Sequence, residues 1–199
     1  DYESLTNLSV TIRATDSGNL SFDETLTLTV TNVNKKPTDI ALSSSSIIEN
    51  SVGGVVVGDL TATDPDTGDT HSFSVVGGTG LSQFEINANN QLVVKSGAVL
   101  DYETLQNPTV IIRATDSGGL SFDETLTLTV TDVNEAPTEI TLDNLSVKEN
   151  SASAHVANIS GTDPDGDALI YSIVGGADAA MFEISASGDM LHLATGVSA

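Results

Sequence analysis

Residues 111–131 read IIRATDSGGLSFDETLTLTVT, and residues 11–31 repeat this text except at positions 11/111 and 19/119. Over residues 125–131, threonine alternates with leucine and valine, which is the period-two pattern of a half-buried β-strand. A second apolar strand is predicted over residues 110–114, and the turn sequence DSGG at 116–119 joins the two strands. This repeated stretch therefore predicts a β-hairpin.

The repetition extends over residues 1–36 and 101–136, which gives the chain an internal period of about one hundred residues. Shorter echoes follow the same period: ENS at 49–51 and 149–151, DPD at 64–66 and 163–165, and FEI at 84–86 and 182–184. Such a period indicates a tandem array of whole domains rather than one globular enzyme. With boundaries at Pro37 and Pro137, we predict the last two strands of a first repeat over 1–37, a complete repeat over 38–137 and the N-terminal two-thirds of a third over 138–199.

The rest of the complete repeat also indicates short strands. Further apolar runs occupy residues 55–57, 71–76, 84–86 and 91–94, separated by Gly, Asn and Asp. Strands at this spacing predict an all-β fold of antiparallel β-sandwiches. No segment keeps a 3.6-residue apolar period, so helices should be limited to single turns, near residues 102–106 and 177–181.

The composition restricts the function classes. The formal net charge is −22 and cysteine is absent, so disulfides and thiolate metal sites are excluded. An acidic surface of this kind repels nucleic acid and anionic membranes and attracts cations, although solubility alone would also explain it. There is no apolar run long enough to span a membrane and no leader sequence, so we expect an internal or processed segment of a secreted protein.

The incomplete repeats at the two ends predict an association between chains. Residues 8–31 should form a two-stranded hairpin, which is marginal alone, and the sheet of residues 138–199 should expose an edge. The hairpin of one molecule could complete the third repeat of another by strand complementation. The alternative is that both ends are poorly ordered.

Acidic motifs cluster where one repeat meets the next. They are Glu49-Asn50, Leu100-Asp101-Tyr102-Glu103, Asp132-Val133-Asn134-Glu135-Ala136-Pro137 and Asp163-Pro164-Asp165-Gly166-Asp167, with Asp64-Pro65-Asp66 and Ala114-Thr115-Asp116 in the complete repeat. Each one alone reads as a turn or linker. Two unit charges 4 Å apart cost about 4 kcal/mol at an effective dielectric constant near 20, so converging carboxylates need a cation. Oxygen ligands without cysteine favour Ca²⁺ over Mg²⁺ or zinc.

In their order along the chain, these motifs resemble those of the cadherin repeat, and the near-identity of neighbouring copies is similar to the bacterial cadherin-like variety. The resemblance implies seven-stranded Greek-key sandwiches with a cluster of Ca²⁺ ions stiffening each junction. At the second junction it implies ligands from Glu49, Asp101, Glu103, Asp132, the Val133 carbonyl, Asn134, Glu135, the Ala136 carbonyl, Asp163 and Asp165. In this chain Glu135 replaces the family's Asp and Ala136 replaces its Asn.

The first junction departs further from the family pattern. Its linker reads NVNKKP over residues 32–37, so Lys35 stands where a carboxylate is expected. Asp1 and Glu3 remain, and one ion could still be held by Asn34, the Lys36 carbonyl, Asp64, Asp66 and Asp116. This hinge should bind fewer ions and bend more than the second.

The resemblance implies an extracellular, calcium-rigidified segment that mediates or projects cell adhesion from a surface protein. We expect no enzymatic activity, because no nucleophile shares a motif with a base and the acidic pairs lack an aromatic-lined cleft. His71, His155 and His192 are expected to be strand or surface residues. Two alternatives stay open: an accessory carbohydrate-binding module of a secreted polysaccharide-active protein, and a passive spacer. The partners expected besides calcium are like chains, by homophilic contact or strand complementation, or cell-surface polysaccharide.

Overall fold

The computed structural model describes residues 2–151 and 154–197. Apart from one short 3₁₀ turn, the regular structure of these residues is β-strand. The chain divides into two compact units, residues 1–132 and 133–199. Among the described residues, no helix is long and apolar enough to cross a membrane.

The first unit begins with a two-stranded hairpin, β1 (Asn7–Thr15) and β2 (Ser21–Thr29), in antiparallel register. In the connecting turn, Asp16 Oδ1 accepts hydrogen bonds from the backbone of Gly18 at 2.8 Å and Leu20 at 2.9 Å. This is the hairpin expected over residues 8–31. Every residue of both strands is exposed, so the hairpin has no buried face of its own.

Nine strands follow within the first unit. They are β3 (Asp39–Leu42), β4 (Ser46–Ile48), β5 (Val56–Thr63), β6 (Ser72–Gly77), β7 (Phe84–Ile86), β8 (Gln91–Val94), β9 (Thr109–Thr115), β10 (Ser121–Thr127) and β11 (Thr129–Thr131). One sheet has the order β3-β5-β8-β7, another has the order β10-β9-β6, and β11 pairs with β4. The all-β sandwich fold is confirmed. One pair departs from the antiparallel expectation, because β11 runs parallel to β4.

The single strand predicted over residues 125–131 is wrong in one respect. It is interrupted at Leu128, where hydrogen bonding passes from β9, the partner of β10, to β4, the partner of β11. Leu128 is fully buried, and its backbone N–H donates to the Pro108 carbonyl at 2.8 Å. The alternation of inward and outward side chains continues through the change of partner, which is why the sequence pattern does not reveal it.

Residues 38–137 are called the complete repeat below, after the predicted boundaries, and their core lies between the sheets. Its fully buried members include Phe84, Leu92, Leu100, Val110 and Ile112, which pack in one cluster. Val110 and Ile112 are 0% exposed, whereas their sequence twins in the first hairpin, Val10 and Ile12, are 45% and 53% exposed. The same local sequence is therefore core in one copy and surface in the other.

The second unit contains one four-stranded sheet among its described residues. Its strands are β12 (Glu139–Leu142), β13 (His155–Thr162), β14 (Phe182–Ile184) and β15 (Met190–Leu193), in the order β12-β13-β15-β14, with a 3₁₀ turn at Ala179–Met181. This turn lies within the predicted range of 177–181. Around residues 102–106 the backbone makes a single turn, in which the Leu105 N–H donates to the Asp101 carbonyl at 2.9 Å.

One segment of the second unit differs from its twin in the first. Residues 169–174 correspond in sequence to residues 71–76, which include most of β6, and the same Gly-Gly pair follows both segments; residues 169–174 lie in no strand. In the first unit β6 pairs with β9, and the sequence of 133–197 contains no counterpart of β9. Ile170 and Val174 are each 96% exposed.

Candidate metal centres

Three carboxylates meet at one end of the complete repeat. Ligand oxygens of Glu49, Glu103 and Asp132 all lie within 4.8 Å of one another. Glu49 follows β4 and Asp132 follows β11, and these strands are parallel neighbours, so their ends coincide. The Glu49 N–H donates to the Thr131 carbonyl at 3.0 Å, which fixes this alignment.

The third carboxylate is brought in by the turn after Leu100. Glu49 Oε2 accepts a hydrogen bond from the Tyr102 N–H at 2.9 Å, and the Asn50 N–H donates to the Leu100 carbonyl at 2.9 Å. These bonds attach the turn, and with it Glu103, to the end of β4. Asp101 lies outside the close cluster and accepts a hydrogen bond from the Thr104 N–H at 3.2 Å.

The electrostatics of this cluster favour a cation. Glu49 is only 2% exposed, while Glu103 and Asp132 face solvent. Unit charges separated by the 4.8 Å limit repel by roughly 3–4 kcal/mol per pair at an effective dielectric constant near 20. The three candidate ligand atoms are all carboxylate oxygens, which is the ligand type that Ca²⁺ prefers. The residues present therefore fit a calcium ion.

A second acidic group is formed by residues that follow β5 and β9. Oxygens of Asp64, Asp69 and Asp116 lie within 4.8 Å of one another. The first two belong to the loop after β5, in which Gly68 takes a positive φ of 84°, and Asp116 follows β9. The sequence assigned Asp64 and Asp116 as ligands but not Asp69, although Asp69 ends the acidic motif DPDTGD at 64–69. A hydrogen bond from the Ser117 side chain lowers the pKa of Asp69.

His71 lies against this second group. Its Nε2 is 3.1 Å from Asp64 Oδ2, and its side chain is 11% exposed. The rings of His155 and His192 face each other edge-on in the second unit, with centroids 5.3 Å apart. Among the described residues, none of these histidines belongs to a group of three metal-ligating side chains.

The first linker is attached to the complete repeat by hydrogen bonds. Asn34 Nδ2 donates to Asp116 Oδ2 at 2.9 Å, and the Lys35 N–H donates to Asp66 Oδ2 at 2.6 Å. Asp116 and Asp66 are 6% and 7% exposed, so these hydrogen bonds hold buried carboxylates. Lys36 is exposed, and its Nζ lies 5.7 Å from the centroid of the Phe122 ring.

The side chain of Lys35 forms an ion pair at the same place. Its Nζ lies 2.5 Å from Glu3 Oε1 and 3.7 Å from Asp66 Oδ1. The hydrogen bond from Lys35 to Glu3 lowers the pKa of the Glu3 carboxyl and raises the pKa of the Lys35 ammonium. Asp1, which sequence reasoning placed near this junction, lies outside the described residues.

The second unit rebuilds the same arrangement around Asp165. The Glu135 N–H donates to Asp165 Oδ2 at 2.6 Å, and the Asp165 N–H donates to Asp163 Oδ1 at 3.1 Å. The remaining oxygens, Asp66 Oδ1 and Asp165 Oδ1, are buried without a hydrogen-bond partner among the described residues. Burying a carboxylate oxygen without a hydrogen-bond partner costs free energy unless a cation binds that oxygen. Asn134 donates from Nδ2 to the Glu135 carbonyl at 3.1 Å, whereas Val133 and Ala136 are exposed.

Residues 43–131 match the cadherin domain model. The chain contains a cadherin domain. This family and its fold are those of non-enzymatic adhesion modules, and the related repeats are extracellular.

Three curated relatives support the assignment. The chain is 31% identical to Cadherin-99C of Drosophila melanogaster over 169 residues, which cover 79% of this chain and 10% of that protein. It is 32% identical to human Cadherin-related family member 2 over 164 residues, 78% and 12% of the two chains, and 32% identical to Cadherin-8 of Rattus norvegicus over 191 residues, 83% and 23%. The chain therefore spans at most about a quarter of these relatives.

Solved structures share the cadherin-domain fold. Mouse Protocadherin-24 EC1-3 aligns with a TM-score of 0.70 at 19% identity, covering 97% of this chain and 67% of that one. Extracellular cadherin domains 1-4 of Protocadherin Gamma B7 align with a TM-score of 0.66 at 24% identity, covering 100% and 51%.

Proposed function

We propose that this chain is a calcium-binding segment of an extracellular cadherin-like array, which rigidifies a surface protein and so mediates or projects cell adhesion. The observation that carries the proposal is the Glu49, Glu103 and Asp132 cluster, in which three carboxylates crowd at the end of the complete repeat. The near-identity of neighbouring copies leads us to keep a bacterial surface protein as the expected source, although the three relatives named above are animal proteins.

Each unit offers its own set of ligands. In the first unit these are Glu49, Asp101, Glu103 and Asp132 on one side, and Asn34, the Lys36 carbonyl, Asp64, Asp66 and Asp116 on the other. In the second unit they are the Val133 carbonyl, Asn134, Glu135, the Ala136 carbonyl, Asp163 and Asp165. A bound Ca²⁺ would supply positive charge to oxygens that otherwise repel one another. Asp69 joins the proposed ligands because it shares the Asp64 and Asp116 group.

The mechanism is thermodynamic linkage. An ion that binds the assembled carboxylates better than the separated ones stabilises the assembled state by mass action. The chain's own residues do the positioning: the parallel β4–β11 pair aligns Glu49 with Asp132, and the Tyr102 N–H holds Glu49 toward the turn. External calcium would then favour a stiffer array.

Calorimetric calcium titration tests the proposal. Glu49→Gln should remove at least one bound ion or weaken its binding by about tenfold or more, because affinity follows the charge count of the ligands. Glu85→Gln is the matched control, since Glu85 is an exposed residue of β7 outside the acidic groups. Equal stoichiometry and affinity in the wild type and Glu49→Gln would refute the assignment of this cluster.

We further propose that a partner of the 199-residue chain is a second copy, through strand complementation. The exposed hairpin β1–β2 is nearly identical in sequence to β9–β10, whose inward residues are core. In the second unit, a hollow of about 440 Å³ is lined by apolar residues that include Leu142, Ile159 and Ile173. Ile112 of β9 pairs with Val75 of β6, so its twin Ile12 would pair with Ile173 of a second chain.

Sedimentation tests this partner. Ile12→Lys should abolish concentration-dependent association, because Ile12 is the twin of a fully buried residue. Thr27→Lys should not, because its twin Thr127 faces solvent. A wild type that stays monomeric at all concentrations would exclude the association. Binding of cell-surface polysaccharide stays a prediction, which a pull-down with and without calcium would check.

A further inference from the structure

We propose that the ammonium group of Lys35 takes the place of a metal ion at the first junction, and holds Glu3 and Asp66 together without calcium. The inference rests on the proposed function, because it compares this junction with carboxylate groups that are proposed to bind Ca²⁺. It concerns Glu3, Lys35 and Asp66, which all lie within the first unit; Asp66 is the only one of the three that is also proposed above as a calcium ligand.

The contacts of Lys35 place a positive charge between two separate parts of the chain. Glu3 precedes β1, whereas Asp66 lies in the loop after β5. The ammonium is 2.5 Å from Glu3 Oε1 and 3.7 Å from Asp66 Oδ1, and the N–H of the same residue donates to Asp66 Oδ2 at 2.6 Å. One residue therefore engages both oxygens of Asp66 and the carboxylate of Glu3.

Both carboxylates have sequence twins among the proposed calcium ligands. The twin of Glu3 is Glu103, which lies in the close cluster with Glu49 and Asp132, and the twin of Asp66 is Asp165. Asp165 Oδ2 receives the same hydrogen bond, from Glu135, and its Oδ1 is likewise buried without a hydrogen-bond partner. Asp66 Oδ1 lies near the ammonium of Lys35. The linker residue that contacts Asp165 is Glu135, which carries a carboxylate instead.

The rest of the first linker has changed in the same electrostatic direction. Asn32 stands where the second linker has Asp132, Lys35 where it has Glu135, and Lys36 where it has Ala136. These replacements make the first linker more positive by one unit, two units and one unit respectively. The linker has thus lost anionic ligands where it has gained its own cation.

A tethered ammonium differs from a calcium ion in its dependence on the medium. Calcium takes six to eight oxygen ligands and leaves when a chelator removes it, whereas an ammonium offers three donors and stays attached to the chain. The sequence-based expectation that the first hinge binds fewer ions is kept here. In place of the expectation that this hinge bends more, we now expect the first hairpin to keep the same orientation relative to the complete repeat with and without calcium.

Spin-label distance measurements test the proposal directly. The chain has no cysteine, so Thr27→Cys and Asn89→Cys would place one label on the first hairpin and one on the complete repeat. With Lys35 present, the distance distribution should be narrow and the same in chelator and in millimolar calcium. Lys35→Met should lose the narrow peak in chelator. Lys36→Met, which removes an ammonium that lies over the Phe122 ring, should keep the peak.

A charge-reversed variant separates this inference from the proposed function. Lys35→Glu combined with Lys36→Ala rebuilds the Glu135-Ala136 sequence, and its narrow peak should be lost in chelator and return with calcium. A narrow peak in chelator for Lys35→Met, or a wild-type peak that appears only with calcium, would overturn the role of Lys35. If no variant binds calcium but Lys35→Met still loses the peak, the proposed function fails and the role of Lys35 stands.

Discussion

Glu49 and Asp132 lie side by side because the strands that precede them, β4 and β11, are parallel neighbours whose last residues, Ile48 and Thr131, are paired. These two strands come from opposite ends of the complete repeat. The two carboxylates come together only when β4 and β11 are paired. The cluster therefore forms only when both ends of the complete repeat are folded together.

Removing calcium should lower the stability of the first unit. An ion that binds only the folded state contributes about 2.7 kcal/mol when its concentration is a hundred times its dissociation constant. Thermal unfolding in calcium and in chelator would measure the change. Magnesium at equal concentration is the control, because it demands a more regular octahedral site. Identical melting in all three media would contradict calcium binding.

Asp132→Asn should weaken calcium binding by about tenfold or more, because it removes one of the three charges in the cluster while keeping the side-chain shape. The first linker already carries asparagine at the equivalent position, Asn32, so the variant makes the two linkers more alike. A calcium titration would measure the affinity, with Glu85→Gln as a control. An unchanged affinity would remove Asp132 from the ligand set.

Local sequence was enough to locate several strands but not their partners. Strands β7 and β8 have the bounds that were predicted, 84–86 and 91–94, because apolar runs between turn residues depend on neighbours in sequence. The interruption at Leu128 was not predicted, because it arises when β11 pairs with a strand some eighty residues earlier.

The same distinction applies to the candidate sites. Glu49, Glu103 and Asp132 could be named from motifs, and the structure brings their oxygens together. Asp69 was missed because its proximity to Asp116 depends on the packing of two loops. The contact between Lys35 and Glu3 was missed because it depends on how the hairpin meets the complete repeat.

Leu128→Ala should destabilise the complete repeat by about 2–5 kcal/mol, since it leaves a cavity at a fully buried position. The sequence twin Leu28 offers a matched control, because it is 53% exposed within the same local sequence. Leu28→Ala should change the stability by less than about 1 kcal/mol. Denaturant unfolding would measure both, and equal effects would contradict the different environments of the two hairpins.

Gly118→Ala should detach the first linker from the Asp116 carboxylate. A Cβ atom at this position would lie 2.5 Å from Asn34 Nδ2, the group that donates to Asp116 Oδ2. The Asn34 side chain can move away, so the repeat should remain folded while hydrogen exchange in residues 33–36 increases. Gly18→Ala is the control, because its nearest contact is Asp16 Oδ1 at 3.2 Å. Unchanged exchange in Gly118→Ala would contradict this contact.

The ion pair between Arg113 and Asp123 should make stability depend on pH in a defined direction. Arg113 Nε and Nη2 donate to the two Asp123 oxygens at 2.7 and 2.8 Å, and this lowers the pKa of the Asp123 carboxyl below its ordinary value of 3.8. Because the folded-state pKa is the lower one, the stabilisation is present above the unfolded-state value and is lost as the pH falls through the folded-state value. Asp123→Asn should therefore be less stable than the wild type at pH 7 by a small amount, since both side chains are 41–46% exposed.

The difference between the wild type and Asp123→Asn should vanish once the pH is below both pKa values, where Asp123 is protonated in either state. Thermal melting of the two proteins at neutral and at acid pH would measure it. The same pair occurs between Arg13 and Asp23, again at 2.7 Å, on the exposed hairpin, so Asp23→Asn controls for the loss of one charge without affecting the buried repeat. A stability difference for Asp123→Asn that persisted at acid pH would mean that the variant acts through packing and not through the ion pair.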